Sequence, residues 1–546
     1  MKILIFATDL LPVAGLPTSG TALRTYGLAR GFEAHGHQVV ISVPRDAVNG
    51  FRRNFDQASL TAPMRSAIDQ FAELAFDSFN QGEILNRVKP DLIVCGHWPA
   101  LTLRSKPSQP IVVDLAGPHL LERHYQGSPD QHEAVLGKLG VIATADYFIV
   151  SGPKQRRYFL SFMMRAGVQK PESRIVTIPM PLDPNLPEKK AGKQDHYPHF
   201  VFGGVFLPWQ DPSAALSTLA LEIKRRNSGH LTLIGGKHPN YPINEGRYAA
   251  LFAALSRESF VTQKPMLPLE QFTDELREKD VAIDLMRWNL ERELAMTIRS
   301  TTYLWSGLPV IYNNFADLGS LISQYEAGWL VDPSDANALI KVIDDIYANP
   351  SAVAIRSKNA QRLARELFSW DRAVEPLLKL IQTPLGLTAL HTDIMVDYPE
   401  NADLTASRGK ALEQYFTCRL DGLRKVECRI ATHNRKIASP VTFKVIEIDG
   451  EAPHPARQGA VVAEVQAQSE ELSNNEWFSV DMSPIRDSAG KLYKLTIEGS
   501  SAEEAANISP WALKSSPYPL RGLYRGGKRL EHLGLCLRTT CAGASD

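Results

Sequence analysis

Short runs of five or six almost wholly apolar residues alternate with longer amphipathic stretches over the first third of the chain. The runs are KILIF (2–6), QVVIS (38–42), DLIVC (91–95), PIVVDL (110–115) and YFIVS (147–151). Runs without polar alternation suit strands covered on both faces of a parallel sheet. The stretches between them have helical spacing. In one, Leu23, Tyr26, Ala29 and Phe32 share a side, with Arg24 and Arg30 elsewhere. Strand–helix alternation predicts right-handed βαβ units and a doubly wound sheet over 1–185, closed by RIVTIPMPLD (174–183).

A polar stretch, PEKKAGKQDHYP (187–198), reads as a linker, and the pattern restarts. FVFGGVF (200–206), LTLIGG (231–236), VAIDLM (281–286), PVIYN (309–313) and GWLVD (328–332) predict a second doubly wound domain over 199–369. Asp211-Pro212 and Ser334 are expected to open two of its helices. The fold class is thus α/β, with two tandem Rossmann-like domains and a cleft between the carboxyl edges of their sheets. A helix over 370–388 is expected to cross back to the first domain. Beyond about 390 the period changes to two. KVECRIAT, VTFKV, VVAEVQA, WFSVDM and LYKLTIE alternate apolar and polar positions, which predicts an antiparallel β-sandwich over 395–510. The remainder, 511–546, is rich in Gly, Pro, Lys and Arg and reads as an irregular basic tail. It carries Lys514, Arg521, Arg525, Lys528, Arg529 and Arg538 against Glu531 and Asp546.

The 546 residues carry 60 basic and 60 acidic side chains, a net charge of zero. That argues against a nucleic-acid partner, since polyanion binding is driven by clustered positive charge. No apolar run reaches the ~18 residues of a membrane span. The five cysteines, Cys95, Cys418, Cys428, Cys536 and Cys541, contain no C-x-x-C pair. Neither a disulfide framework nor a metal-ligand spacing results, and a reduced, cytoplasmic protein is expected. The basic tail adds an expectation of peripheral contact with the inner face of a membrane.

Candidate chemistry collects just after the strands. Gly15, Ser19 and Gly20 form a small-residue loop that opens a helix, either a tight turn or an anion-binding N-terminus. The loop is neither a G-x-G-x-x-G nor a Walker sequence, which disfavours a nicotinamide site or an ATPase. His97 and Trp98 follow the third run. Asp114, His119 and Glu122 follow the fourth. His119 suits a general base, a hydrogen-bond donor to sugar hydroxyls, or a capping histidine. In the second domain Gly203 and Gly204 mark close backbone approach at a strand end. Trp209 is a platform or core, and Lys237 a phosphate contact. Arg287, Glu291, Glu293 and Arg299 surround helix starts, where a carboxylate can accept ribose hydroxyls and an arginine can fork onto phosphate. Ordinary solvated charge pairs are the plainer reading of the same four residues.

Taken in order, LARGFEAHGHQVVIS, ATADYFIVSGP, RIVTIPMPLD, YLWSGLPVIYN, GWLVDPSDANAL and FSWDRAVEPLLKLI resemble the motifs of one large family. It is the group of retaining GT-B glycosyltransferases that use nucleotide-activated sugars (group 1, or family 4-like). The resemblance covers about 1–383. It implies a nucleotide sugar held mainly by the second domain and an acceptor, a glycan or a lipid-linked glycan, held by the first. Gly15, Ser19, Gly20, Gly203, Gly204, Trp209, Lys237, Arg287, Glu291 and Arg299 become donor-binding candidates. His119, Asp114 and Glu291 become catalytic candidates, and His97, Trp98 and Glu122 acceptor-side candidates. The chain departs from the family in two places. No carboxylate stands eight positions after Glu291 or Glu293, so the usual glutamate pair is incomplete. GGVFLPWQDP replaces the segment that normally supplies Arg and Lys to the diphosphate, leaving Arg287, Arg299 or Lys237 to replace that charge. No Asp-x-Asp is present, and neither a metal nor a cofactor is expected. The activity implied is glycosyl transfer with retention, as in bacterial surface polysaccharide assembly. A non-catalytic glycan-binding scaffold and a nucleotide-sugar epimerase are the other readings.

Overall fold

A computed structural model describes residues 1–54, 60–96, 107, 109–190, 197–205, 207, 209–236, 248–382, 390–397, 399–400, 403–435, 439–450, 453, 459–468, 471–503, 507–514 and 520–542. The apolar runs of the first half become β1 (Lys2–Phe6), β2 (Gln38–Ser42), β3 (Leu92–Gly96), β4 (Ile111–Asp114), β5 (Tyr147–Val150) and β6 (Ile175–Thr177). They form one parallel sheet in the order β2-β1-β3-β4-β5-β6. Helices cover both faces, so Ile3 to Phe6 and Ile111 to Val113 are at most 2% exposed.

The second domain repeats the plan with β7 (His199–Val205), β8 (His230–Gly236), β9 (Val261–Lys264), β10 (Val281–Asp284), β11 (Val310–Asn313) and β12 (Gly328–Val331). Their order is β12-β11-β10-β7-β8-β9, which switches direction between β7 and β10. β9 has no apolar run to announce it, because VTQK is a partly exposed edge strand. The helix starts lie one residue from where they were expected. Pro212 is the cap of the helix Ser213–Arg226, and Asp211 accepts from Ser213 N. Asp335, rather than Ser334, caps Ala336–Ala348 through Ala338 N.

The helix Trp370–Gln382 packs on the first domain. Val374, Leu377 and Leu378 join Leu28, Phe32 and Ile5 in one apolar cluster. The approach is close: a Cβ on Gly31 would lie 2.4 Å from the Trp370 carbonyl.

The remaining strands make a two-sheet antiparallel sandwich. One sheet runs β13 (Leu390–Val396), β25 (Leu537–Ala542), β15 (Leu423–Ala431), β18 (Trp477–Ile485), with β20 (Ser509–Pro510) beside β15. The other runs β17 (Gly459–Ala467), β16 (Val441–Ile448), β19 (Leu492–Gly499), β14 (Leu412–Thr417), β22 (Leu520–Arg525), β23 (Lys528–Leu530). A short pair, β21 (Ala512–Leu513) and β24 (Gly534–Leu535), completes it. The sandwich therefore starts before 395 and runs past 510. The described residues of this segment, 511–514 and 520–542, are not an irregular tail. β25 alternates buried Leu537, Thr539 and Cys541 with partly exposed Arg538 and Thr540. It sits between β13 and β15. The glycines and cations around it masked a period-two signal. Nor do those cations form one basic run: Arg538 pairs with Glu427, and Arg521 donates to Thr417. Among the described residues no helix is long and apolar enough to cross a membrane.

A polar latch joins the two α/β domains. Lys154, in the first turn of the helix Pro153–Arg165, donates its backbone N–H to Asp317 Oδ2 at 2.7 Å. Its ammonium reaches Glu293 Oε1 at 2.9 Å and the Phe315 carbonyl at 2.5 Å. The hydrogen bond from Lys154 holds the Glu293 carboxyl below its usual range, aided by Trp288 and offset in part by burial. A depressed carboxylate stabilises the joined state at pH values above that range and loses its effect as pH falls through the folded value. Lys154→Ala is expected to widen the cleft, read as a larger radius of gyration by small-angle X-ray scattering. Wild type should widen in the same way on acidification, and identical scattering of the two proteins at pH 7 would contradict the latch.

Candidate functional site

A cavity of about 820 Å³ lies between the two α/β domains. Its walls come from segments after β1, β3, β4, β7, β8 and β10, the carboxyl ends where such folds bind ligands.

On the first domain Ser19 caps the helix Gly20–Ala34. It accepts from Ala22 N at 3.2 Å and donates to Asp9 Oδ2 at 2.5 Å. Gly20 allows the second domain to approach, since a Cβ there would lie 2.7 Å from Ile298 Cδ1. Gly15 is not at the cavity. It makes a turn, with φ +81°, where a Cβ would meet Met64.

Asp114 ends β4 but is not an available base. Its two oxygens accept from Arg24 Nε at 2.7 Å and Nη2 at 3.0 Å. Arg24 Nη1 also donates to the Ile178 and Pro179 carbonyls, both at 3.1 Å. The pair is buried, with side-chain exposures of 5% and 12%. Arg24, expected away from the packed side of its helix, is thus drawn inside by a carboxylate. Its alignment with Leu28 and Gly31, at i+4 and i+7, was the available signal.

His119 and Glu122 share the short helix His119–Tyr125, and His119 Nδ1 lies 3.1 Å from Glu122 Oε2. Burial pushes the Glu122 carboxyl up, but His119, Arg292 and Lys138 together outweigh it and hold it below its usual range. Both residues line the cavity, beside Gln155, whose Oε1 accepts from Ser151 N at 3.0 Å.

On the second domain Gly203 and Gly204 end β7, paired with Ile234 and Gly235 of β8. Gly204 has φ +135°, and a Cβ there would lie 2.8 Å from Arg299 Nη1. Arg299 donates to the Gly203 carbonyl at 3.1 Å and to Gln210 Oε1 at 2.5 Å. Its Nε lies 3.5 Å from Asp284 Oδ1. Asp284 also accepts from Ser300 Oγ. Trp209 lines the wall and is 5% exposed, and its carbonyl accepts from Asn289 Nδ2 at 2.6 Å.

Glu291 reaches the cavity as a paired group. Arg292 holds it by two bonds of 2.6 and 2.7 Å, and both side chains are buried. Burial lowers the Arg292 pKa, but Glu291 more than offsets this and the net shift is upward. Arg287 is exposed, outside the cavity, and its backbone N–H bonds the Asp211 carbonyl. His97, Trp98 and Lys237 lie outside the described residues. The site thus joins Ser19, Gly20, Asp114, His119, Glu122, Gly203, Gly204, Trp209, Glu291 and Arg299 on one cavity, without Gly15 or Arg287. Arg24, Arg292, Gln155 and Asp9 line it too and were not singled out in the sequence.

Metal-ligand chemistry converges elsewhere. Asp393, Cys418 and Cys541 bring ligand atoms within 4.8 Å of one another in the sandwich. Arg419 engages both Asp393 oxygens, through its backbone N at 2.8 Å and its Nε at 3.2 Å. Burial pushes the Cys418 thiol up in the metal-free protein. None of the five buried cysteines forms a disulfide.

Two Rossmann-like domains facing one another across a ligand-sized cavity define a GT-B-type fold. Residues 19–180 match a protein family described as the glycosyl transferase 4-like domain. No curated protein matches the chain in sequence. Among solved structures, the chain is similar to a sucrose-phosphate synthase from Thermosynechococcus elongatus, with a TM-score of 0.52 and 17% identity over 70% of this chain and 98% of that one. It is also similar to Anabaena HepE in complex with UDP-glucose, with a TM-score of 0.49 and 15% identity over 70% of this chain and 99% of that one. At such identity the first likeness shows a common fold.

The Arg24–Asp114 pair should dominate the stability of this wall. Leaving Asp114 buried without its partner costs about 3–5 kcal/mol. Arg24→Met is therefore expected to lower the urea midpoint of the first domain, while Arg24→Met/Asp114→Asn recovers part of the loss. A single variant as stable as wild type would contradict the pairing.

Proposed function

We propose that the protein is a glycosyltransferase that moves a sugar from a nucleotide sugar to a glycan or lipid-linked glycan acceptor, with retention of anomeric configuration. The observation that carries this is the cavity itself, which has an arginine and a strand-end glycine pair on one wall and a histidine–carboxylate pair on the other. The match of residues 19–180 to a glycosyl transferase domain supports it. HepE, a structural neighbour, was solved with UDP-glucose.

In this reading the second domain takes the donor. The diphosphate lies against Gly203 and Gly204, at the start of the helix Ile298–Trp305, beside Arg299. The protein's bonds use one N–H on each terminal nitrogen of Arg299, so each retains a second for phosphate. Together with the helix N-terminus these donors stabilise the departing diphosphate, so charge is met by fixed dipoles and cations. The bond from the anomeric carbon to the phosphate oxygen breaks. The acceptor oxygen bonds that carbon on the same face, and its proton passes to the leaving phosphate oxygen. Asp114 and Glu291 are each held by a guanidinium and serve as structure rather than as nucleophiles. His119 faces the sugar from the first domain, and acceptor and donor are brought together by domain closure. Assembly of a bacterial surface polysaccharide is the setting this substrate pair fits.

Titration calorimetry with UDP, GDP and dTDP, followed by turnover of the matching sugars, tests the reading. One nucleotide is expected to bind, and Arg299→Ala should weaken it about tenfold to a hundredfold, the loss of one or two charge-assisted hydrogen bonds. Proton NMR of the product should show the donor's anomeric configuration. Epimerised donor without transfer would favour an epimerase. Absence of any binding with the whole panel would reject the proposal.

A further inference from the structure

Three side chains that the proposed chemistry does not use meet inside the sandwich. Asp393 comes from β13, Cys418 from just beyond β14, and Cys541 from β25, so the group draws on both sheets. Their exposures are 2%, 0% and 1%, and their ligand atoms all lie within 4.8 Å of one another. The backbone is adapted to place Asp393 there. β13 and β25 pair Thr392 with Thr540 and Ile394 with Thr539, which leaves Asp393 at a bulge. A bulge re-aims one side chain. Thr539 Oγ1 takes the Ile394 N–H at 3.0 Å, so the interrupted ladder is satisfied locally. A carboxylate beside two thiols is otherwise a poor choice for an apolar core. Thiols are weak donors and weak acceptors, and they do little for a buried charge. Arg419 meets that charge, donating its backbone N–H at 2.8 Å and its Nε–H at 3.2 Å. The two sulfurs and the carboxylate are, by contrast, good ligands for a borderline-soft divalent cation.

We propose that Asp393, Cys418 and Cys541 form a structural zinc site. A tetrahedral zinc, with bonds of about 2.0–2.3 Å, holds its ligand atoms about 3.3–3.8 Å apart, so atoms already within 4.8 Å need shifts on the order of 1 Å. Each thiol gives up one proton as its sulfur bonds the cation. Two protons leave and one Zn²⁺ enters, so the net charge of the buried group, with Arg419 included, is unchanged. A monovalent cation such as Cu(I) on the same two thiolates leaves one negative charge buried without a partner, which disfavours it. Water completes the fourth position, as in other zinc sites with three protein ligands. The metal fastens β13 to β25 within one sheet and both to the end of β14 in the other. Arg419 carries the connection onward, since its Nη1 reaches the Gly140 carbonyl and Thr144 Oγ1 of the first domain, both at 3.4 Å.

The site is independent of the activity proposed for the cleft, and its test uses the metal alone. Full-length protein, purified without chelator or affinity tag, is incubated with zinc chloride, gel-filtered and analysed by inductively coupled plasma mass spectrometry. About one zinc per chain is expected. Co(II) in place of zinc should give a thiolate-to-cobalt charge-transfer band, which histidines and carboxylates at the surface cannot produce. Cys418→Ser/Cys541→Ser should abolish both the band and the bound metal. Asp393→Asn should weaken binding at least tenfold. Cys428→Ala, at a buried cysteine outside the group, should keep the band and the metal. Zinc should raise the thermal midpoint of wild type and leave that of the double variant unchanged. If the double variant does not fold, the cobalt spectrum of wild type decides. Absence of a thiolate band in wild type, or equal metal content in the double variant, overturns the proposal. A peptide map of freshly purified protein that joins Cys418 to Cys541 as a disulfide also overturns it.

Discussion

The first wall of the cavity depends on one buried ion pair. Arg24 enters from the helix Gly20–Ala34, Asp114 from the end of β4, and the carbonyls of Ile178 and Pro179 from the segment that leaves β6. Burying two charges is costly unless their remaining hydrogen-bonding positions are filled. Here Nε, Nη1 and Nη2 all donate to named acceptors, and Asp114 Oδ1 also accepts from Ala116 N. Three segments distant in sequence are thereby locked at the mouth of the sheet. A carboxylate spent in this way is not free to act as a base, and His119 and Glu122 form the other titratable pair on this wall.

The opposite wall is built on the same economy of charge. Glu291 is closed by Arg292, and Asp284 sits against Arg299 while accepting from Ser300. At the site Asp114, Glu291 and Asp284 each have an arginine beside them, whereas Asp9 is met by the Ser19 hydroxyl and the Leu10 N–H. On the proposed reading a diphosphate would meet Arg299 already held by Asp284, Gln210 and the Gly203 carbonyl. Such preorganisation lowers the cost of ordering donors around the ligand.

Much of the scaffold was legible because burial on both faces leaves an unbroken apolar signature. The strands of the two parallel sheets were found by their runs, and the cleft by the residues just beyond them. β9 was invisible for the converse reason, since an edge strand of VTQK buries little. The C-terminal strands were hidden by composition: Gly, Lys and Arg around β22 and β23 outweighed the alternation in β25. Site residues were harder. Gly15 and Arg287 have the right chemistry in the right order but lie outside the cavity, three and four positions from the nearest lining residues, Thr18 and Glu291. Arg24 failed in the other direction. It is a charged residue on a helical face that packs inward, and its partner carboxylate, Asp114, lies 90 residues on, so only the fold brings the pair together.

That same inward packing ties the sandwich to the cleft. The helix Gln131–Thr144 buries Val141 and Ile142 in the first domain's core and Lys138 near the Phe159 ring. Its other side carries Leu136, which packs on the sandwich core, and its C-terminal turn meets Arg419. Arg419 is held by Asp393 and reaches the Gly140 carbonyl and Thr144 Oγ1, both at 3.4 Å. A cation at a helix C-terminus meets carbonyls that the helix itself leaves unbonded. Arg165 adds a second tie, donating to the Asp397 carbonyl at 2.9 Å. The sandwich is thus bonded to a helix of the first domain's core. Displacing it would expose Leu136 and strip the last turn of its cation.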